Sequence, residues 1–172
     1  MINDPVVLLM RVLHVLLGVF WGGTVLLNAF FLQPAMRDAG PEGGKVMGAL
    51  MRRGFMTAMP VAAVITLLSG LWLYWQVSGG FQPAYVHSVQ GLTYATGGLS
   101  AIVGFAIGLA TIRPNMGKAA ALMQAASQAS EADRGAMAAQ AQALRQRAAT
   151  AGNVVNVLII VAILAMGIAR YL

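Results

Sequence analysis

Residues 5–31 read PVVLLMRVLHVLLGVFWGGTVLLNAFF, and Arg11 and His14 carry the only ionisable side chains of this stretch. Crossing the hydrocarbon core of a bilayer takes about 20 consecutive apolar residues in an α-helix. The stretch is long enough and apolar enough for that. It therefore predicts a transmembrane helix that carries a histidine inside the membrane.

Capping and breaking residues mark the ends of this helix. Asn3 and Asp4 are placed to accept hydrogen bonds from its first free N–H groups, and Pro5 takes a first-turn position that needs no N–H. Gln33-Pro34 is expected to end it, because proline has no N–H for the helical ladder. Since no basic segment precedes the apolar run and no small-residue cleavage site follows it, we interpret it as a retained helix rather than a signal peptide.

Three further apolar runs, at about 54–75, 89–112 and 154–171, complete a set of four predicted spans. The chain is 59% hydrophobic and only 9% charged, with a mean hydropathy of +0.74, so its composition indicates lipid as its main solvent. Segment 113–150 is polar and rich in Ala and Gln, with apolar positions at helical spacing. The predicted fold is all-α: one integral membrane four-helix bundle with a cytoplasmic helical extension between its third and fourth helices.

The positive charges indicate the orientation of the chain. The connection 76–88 contains no Lys or Arg, whereas the other two connections are basic, and basic loops stay in the cytoplasm. Trp72, Tyr74, Trp75 and Tyr85 gather near the uncharged connection, as in an aromatic belt at the outer interface. We therefore expect a bacterial inner-membrane protein with both termini in the periplasm. The basic residues of the two cytoplasmic connections are Arg37, Lys45, Arg52 and Arg53, and Arg113, Lys118, Arg134, Arg145 and Arg147.

Charge and composition also exclude several classes of function. The net charge of +6 comes from residues beside the spans rather than from a basic patch interleaved with aromatics, so nucleic acid is not expected as a partner. Without cysteine, there is no disulfide framework and no thiolate metal site. No acidic residue lies within a predicted span, which disfavours an ion channel or a proton pump. The partner that the sequence does predict is the lipid bilayer.

His14 is the most informative residue, because an ionisable group deep in a bilayer is costly unless it faces protein and has a partner there. It lies roughly 13 Å below the outer end of its helix, at about 1.5 Å of rise per residue. Polar and small residues recur on its side of the helix at steps of three and four, and we expect this stripe to face other helices. The stripe comprises Arg11, His14, Gly18, Trp21 or Gly22, and Asn28.

The second and third predicted spans offer small and polar residues at a depth comparable to that of His14. A haem b needs an axial imidazole and small residues that leave room for a flat macrocycle. We therefore predict a haem b or a related redox centre with His14 as the metal ligand. The candidate neighbours are Thr66, Ser69 and Gly70 in the second span and Gly97, Gly98 and Ser100 in the third.

Two more residues join the candidate cofactor site, and a simpler interpretation of His14 stays open beside it. His87 lies just outside the third span on the same side, where it could be a second ligand or hold a haem propionate. Arg11 lies one turn from His14 on the same stripe. The alternative is a structural histidine that hydrogen-bonds Ser69 or Thr66 in a glycine-packed helix interface.

Glycine, methionine and arginine patterns elsewhere are interpreted as features of packing and topology. The small-xxx-small motifs favour packing inside the bundle over dimerisation. Methionines near one helical face favour apolar contacts over Cu(I) ligation. Arg52 and Arg53 are interpreted as topogenic anchors, with an anionic headgroup or a propionate as the alternative partner. The motifs are Gly18-Val-Phe-Trp-Gly22 and Gly104-Phe-Ala-Ile-Gly108, and the methionines are Met47, Met51, Met56 and Met59.

Two stretches in the first half of the chain combine histidine, aromatic and glycine signatures. They are Leu13-His14-Val15 through Phe20-Trp21-Gly22-Gly23, and Leu50-Met51-Arg52-Arg53 through Met59-Pro60 to Leu68-Ser69-Gly70-Leu71-Trp72-Leu73. These stretches resemble the membrane superfamily that contains copper-resistance protein D and the HemJ-type protoporphyrinogen oxidases. The resemblance implies haem binding by a first-helix histidine, and His14 holds the matching position. Tyr85-Val86-His87 resembles the family's aromatic-x-His entry into its third helix, so His87 matches there.

The chain also departs from that family, and other functions stay open. The HemJ-type enzymes place a lysine two residues after the second histidine, where this chain has Val89, and they carry a further histidine in the third helix, which is missing here. We therefore expect no protoporphyrinogen oxidase activity and predict no catalytic residue. The competing function is a non-catalytic accessory subunit or assembly factor of a larger membrane complex or homo-oligomer. A copper-handling membrane protein that uses methionines is a weaker alternative.

Overall fold

The computed structural model describes residues 4–172, and in that part of the chain every regular element is a helix. The α-helices are α1 (Pro5–Leu27), α2 (Gln33–Asp38), α3 (Pro41–Arg52), α4 (Phe55–Val77), α5 (Pro83–Val86), α6 (Val89–Ile107), α7 (Arg113–Ala126) and α8 (Glu131–Ile168). Two π-helices, Asn28–Leu32 and Gly108–Ile112, connect α1 to α2 and α6 to α7, and a 3₁₀ turn, Ala169–Tyr171, follows α8.

Four helical stretches are long and apolar enough to cross a membrane, with mean hydropathies from 1.8 to 2.3 in their most apolar windows. The predicted all-α class is confirmed, and so is the presence of four such helices. The second stretch agrees with the predicted span to within two residues, whereas the other three extend beyond the predicted spans. The stretches are Pro5–Asp38, Phe55–Val77, Val89–Ala126 and Glu131–Tyr171.

The start of α1 is capped by an aspartate, as predicted. The Asp4 carboxylate accepts a hydrogen bond from the Val6 N–H at 2.9 Å, and Pro5 occupies the first helical turn. This contact satisfies one of the N–H groups that a helix leaves free at its N-terminus. Asn3, the other predicted cap, lies outside the described residues.

The predicted end of the first helix at Gln33-Pro34 is wrong, because helical structure continues to Asp38. The π-helix Asn28–Leu32 lies directly before the proline, and the Gln33 N–H bonds back to the Asn28 carbonyl across the wider turn. Pro34 then falls in the first turn of α2, where an N–H is not required. A change of hydrogen-bond register thus carries the helix past a residue that would otherwise break it.

The chain forms two compact units, Met1–Ile102 with Ile159–Leu172, and Val103–Leu158. Within the first unit, α1 contacts α4 and α8, while α6 contacts the same two helices. The four long helices therefore close into a bundle in that unit. The contacts that define it are Gly18 against Thr66, Gly22 against Ile163, Gly97 against Ala165, and the Tyr74 hydroxyl donating to the Gly91 carbonyl at 3.1 Å.

The side chains buried in the first unit are mostly small, and the large aliphatic ones point outward. On α1, Leu16 is 63% and Val19 is 70% exposed, whereas Gly22 is buried. No large side chain among the described residues is fully buried. Helices in lipid pack in this way, because small residues let backbones approach while large apolar residues are as well solvated by lipid as by protein. The small buried residues are Ala62, Ala63, Thr66, Ser69, Ala101, Ala162, Ala165 and Ala169.

In the second unit, segment 113–150 forms two helices, α7 and the first half of α8, separated by residues 127–130. Arg134 donates to the carbonyls of Ala126 and Ala129 at 3.2 and 3.1 Å, which adds a side-chain donor to the carbonyls that follow the end of α7. The Ser130 hydroxyl donates to Asp133 at the start of α8. Both helices bury alanines seven residues apart, which is the spacing of a closely packed helix pair. These are Ala119 and Ala126, and Ala141 and Ala148.

The neighbouring glycines of α6 give a matched test of the bundle contacts. A Cβ at Gly97 would lie 3.0 Å from the Ala165 Cβ and 3.3 Å from the Ala162 carbonyl oxygen, whereas a Cβ at Gly98 meets nothing within 4 Å. We expect Gly97→Leu to lower stability by about 1–3 kcal/mol through overpacking. Gly98→Leu should be neutral or stabilising, because leucine is the better helix former. Thermal unfolding in detergent checks this, and equal losses for the two variants would contradict the α6–α8 contact.

Candidate functional site

His14 lies on the side of α1 that faces α4 and is half-buried there. Its Nδ1 atom lies 2.8 Å from the backbone carbonyl oxygen of Thr66. A carbonyl oxygen only accepts, so Nδ1 carries the proton and donates. In the neutral form of this ring the lone pair lies on Nε2, and Nε2 has no hydrogen-bond partner among the described residues. This tautomer, with Nδ1–H held by a backbone carbonyl, is the one that ligating histidines usually adopt.

The imidazole fits against α4 because residue 70 has no side chain. A Cβ at Gly70 would lie 2.6 Å from His14 Cε1 and 2.9 Å from Nδ1, which is closer than atoms can approach. One turn along α1, Gly18 approaches the Thr66 methyl group, where a Cβ would be 3.4 Å away. A glycine on each helix thus lets the two backbones come close enough for a side chain to reach a main-chain carbonyl.

Ser69 supports the same carbonyl from within α4 and does not bond to His14. Its hydroxyl contacts the Ile65 and Thr66 carbonyls at 2.6 and 3.1 Å, and the Thr66 hydroxyl donates to Ala62 at 2.8 Å. The Thr66 carbonyl therefore accepts from both His14 and Ser69. Of the two partners that the sequence offered to a structural histidine, the structure places the Thr66 backbone in contact with the ring.

The stripe predicted to face protein does so along most of its length. Trp21 and Gly22 are buried, while Gly18 and Asn28 are half-buried. The Asn28 side-chain oxygen is buried without a hydrogen-bond partner among the described residues. For Arg11 the prediction is wrong, because this side chain is exposed. Arg11 lies only about 9 Å from the start of its helix, so its long side chain can extend toward that end.

The other candidate residues lie against different partners. Gly97, expected to leave room for a macrocycle, packs against Ala165 of α8, whereas Gly98 has open space at its Cβ position. His87 is exposed at the end of α5, where its Nδ1 donates to the Pro83 carbonyl at 2.8 Å. The two histidines are thus held by separate carbonyls. The sequence placed Gly70 at a depth similar to that of His14, but it did not predict the contact between Gly70 and the imidazole ring.

Tyrosines form a cluster near the connection between α4 and α6. The sequence predicted an aromatic belt there, but not the contacts between the rings. The rings of Tyr74 and Tyr85 meet edge to face with centroids 6.2 Å apart. The Tyr85 hydroxyl is buried without a hydrogen-bond partner among the described residues. Burial, reinforced by Tyr94 and Tyr74, raises the pKa of Tyr85 above its ordinary value.

As an axial ligand for a haem, the described part of this site offers one side chain, His14. His14 has the required tautomer, and its ring orientation is fixed by the Thr66 carbonyl and the Gly70 backbone. The described residues contain no group of three or more His, Asp or Glu side chains that could hold a metal ion on their own. The arrangement therefore suits a prosthetic group that brings its own equatorial ligands better than a bare ion.

Comparison with protein-family models, with curated proteins and with solved structures finds no match. The resemblance to the superfamily of copper-resistance protein D and the HemJ-type enzymes stays a prediction.

The contact between His14 and Gly70 predicts a strong coupling between the two positions. Gly70→Ala should displace the imidazole, break its hydrogen bond and cost about 1–3 kcal/mol. In a His14→Ala background, the same change should cost much less, because there is no ring to displace. Unfolding of the four proteins of this double-mutant cycle gives the coupling energy. Additive losses would show that the ring does not occupy the position described.

Proposed function

We propose that this chain is a four-span protein of the bacterial inner membrane that binds haem b, or a related redox centre, through His14. The observation that carries the proposal is the hydrogen bond of His14, whose Nδ1–H is held by the Thr66 carbonyl while Nε2 has no hydrogen-bond partner among the described residues. An imidazole oriented in this way inside an apolar helix has the requirements of an axial ligand.

Membrane insertion is supported by the distribution of apolar surface. The four long helices expose large aliphatic side chains and bury small ones, which is costly in water and favourable in lipid. The uncharged connection 76–88 and the basic connections on either side of it favour periplasmic termini. Segment 113–150 is then cytoplasmic.

Bound haem would supply one-electron redox chemistry near the periplasmic side of the membrane. The residues of the chain would bind and orient the group: His14 through Nε2, and the Thr66 carbonyl and Gly70 backbone by fixing the imidazole. His87 is exposed and could hold a propionate at the membrane surface. Membership of the superfamily of copper-resistance protein D is part of the proposal, whereas oxidation of protoporphyrinogen is not, because Val89 replaces the lysine of the HemJ-type enzymes.

An accessory subunit or assembly factor of a membrane complex is the second candidate. The observation that favours it is the Gly70 contact, because a ring packed on glycine and bonded to a carbonyl is accounted for as a link between α1 and α4 without a ligand. In this function, the protein would carry no cofactor.

The topology can be tested directly, since the chain has no cysteine. Ala84→Cys lies in the uncharged connection, while Gly44→Cys and Ala149→Cys lie in the two basic connections, and all three positions are exposed. In intact spheroplasts, a membrane-impermeant maleimide should label Ala84→Cys alone, and all three variants should react after permeabilisation. Labelling of Gly44→Cys in intact spheroplasts would overturn the orientation, and a chain released from membranes by carbonate would overturn insertion.

The cofactor is tested by the visible spectrum of the protein purified in mild detergent. A Soret band should be present in the wild-type protein and in His87→Ala but be lost in His14→Gly. Millimolar imidazole should restore the band in His14→Gly by occupying the vacated ligand position. A colourless wild-type protein, expressed with ample haem and migrating with a larger complex on a native gel, would reject haem binding and favour the accessory function.

A further inference from the structure

Helix α3 is amphipathic, unlike the four long helices. At 100° per residue, Val46, Met47 and Leu50 share one face, and Lys45 and Arg52 lie on the opposite face. Val46 is 49% exposed, and both basic side chains are exposed. A short helix with this distribution and low overall hydrophobicity is typical of one that lies in a membrane interface.

The chain holds α3 between two fixed points. At its start, Gly43 is buried, and a Cβ there would overlap the carbonyl group of Met36 in α2. At its end, Gly54 adopts a φ of +84°, which favours glycine and turns the chain directly into α4. Arg52 and Arg53 are therefore held at the point where the second predicted span begins.

The charges on α3 differ in whether they have a partner. Lys45 pairs with Glu42 at 2.6 Å on the exposed surface. Arg52 and Arg53 are exposed and form no ion pair with a described residue. The Arg52 guanidinium lies back along its own helix near Gly48, where a Cβ would be 3.5 Å from Nη1. Two exposed arginines that are consecutive in the chain and have no carboxylate partner among the described residues favour a negatively charged partner with several acceptor oxygens.

We propose that α3 lies at the surface of the leaflet beside the first connection and that Arg52 and Arg53 bind the phosphate headgroups of anionic phospholipids. The proposal rests on the membrane insertion proposed above but not on haem binding. Charge complementarity selects the partner: the apolar face, with Val46 and Leu50, contacts acyl chains, and the side chains of the two arginines meet the phosphates. This goes beyond orienting the chain, because it predicts a preference among lipids.

The test is lipid retention by the full-length protein. Wild-type protein, Arg52→Gln/Arg53→Gln and Arg145→Gln/Arg147→Gln are reconstituted in nanodiscs of phosphatidylcholine with 0–30% phosphatidylglycerol, and enrichment of phosphatidylglycerol around each is measured by native mass spectrometry. The last variant is a matched control, because it removes the same charge from exposed arginines of α8 that form no ion pair with a described residue. At about a factor of five per basic residue, the first double variant should bind phosphatidylglycerol roughly twenty-five-fold more weakly.

Further arms separate the possible sources of an effect. Arg52→Lys/Arg53→Lys should retain most of the preference, which distinguishes lost charge from a damaged fold. Inorganic phosphate added to the protein in detergent should not raise the apparent Tm, whereas phosphatidylglycerol should. Equal enrichment in wild type and Arg52→Gln/Arg53→Gln overturns the proposal, as does an equal loss in the α8 control. A chain that does not enter nanodiscs refutes the membrane insertion instead, and the visible spectrum reports separately on haem.

Discussion

The close approach of α1 to α4 is the contact on which the candidate site depends. Glycines at positions 18 and 70 remove side chains from the two facing surfaces, and only then can the His14 ring reach the Thr66 carbonyl. In lipid, apolar side chains gain little by leaving one apolar medium for another, so dispersion contacts and hydrogen bonds between closely spaced backbones must hold helices together. For the proposed membrane insertion, the same principle explains why alanine, threonine and serine form the interior of the first unit while valine and leucine form its outside.

A second constraint appears twice in the chain, where a helix must continue past a proline. In the first case Asn28–Leu32 is a π-helix followed by Gln33-Pro34, and in the second Gly108–Ile112 is a π-helix followed by Arg113-Pro114. In both cases, the proline then lies in the first turn of the next α-helix. The wider turn shifts the hydrogen-bond register by one residue, so the missing N–H falls where helices have no donor requirement. Two separate helices thus use the same local solution to the same chemical problem.

Sequence reasoning located the helices better than their contacts, for a physical reason. Hydropathy and capping residues are local, so the α4 span and the Asp4 cap could be derived from the chain alone. Which helix a glycine faces is not local: Gly97 was expected near His14, yet it packs on α8, while Gly70 receives the imidazole. The continuation through Pro34 was missed because proline is a helix breaker in the α register and ceases to be one after a π-turn. Arg11 was predicted to face protein because it lies on the polar stripe of the helix. Its side chain is exposed instead, because it is long and lies near the start of the helix.

The two interpretations of His14 share one hydrogen bond and differ at a single nitrogen. A purely structural link requires only that Nδ1–H donates to the Thr66 carbonyl, and it sets no condition on Nε2. A metal ligand requires the same hydrogen bond and also a free lone pair on Nε2. An asparagine amide could donate to the same carbonyl without a titratable ring, and an ionisable group is costly within a membrane. The link alone therefore does not explain why the residue is histidine. The proposed metal ligation would explain it, because among the side chains that can donate to a carbonyl, a neutral imidazole alone then presents a second, uncharged nitrogen as a ligand.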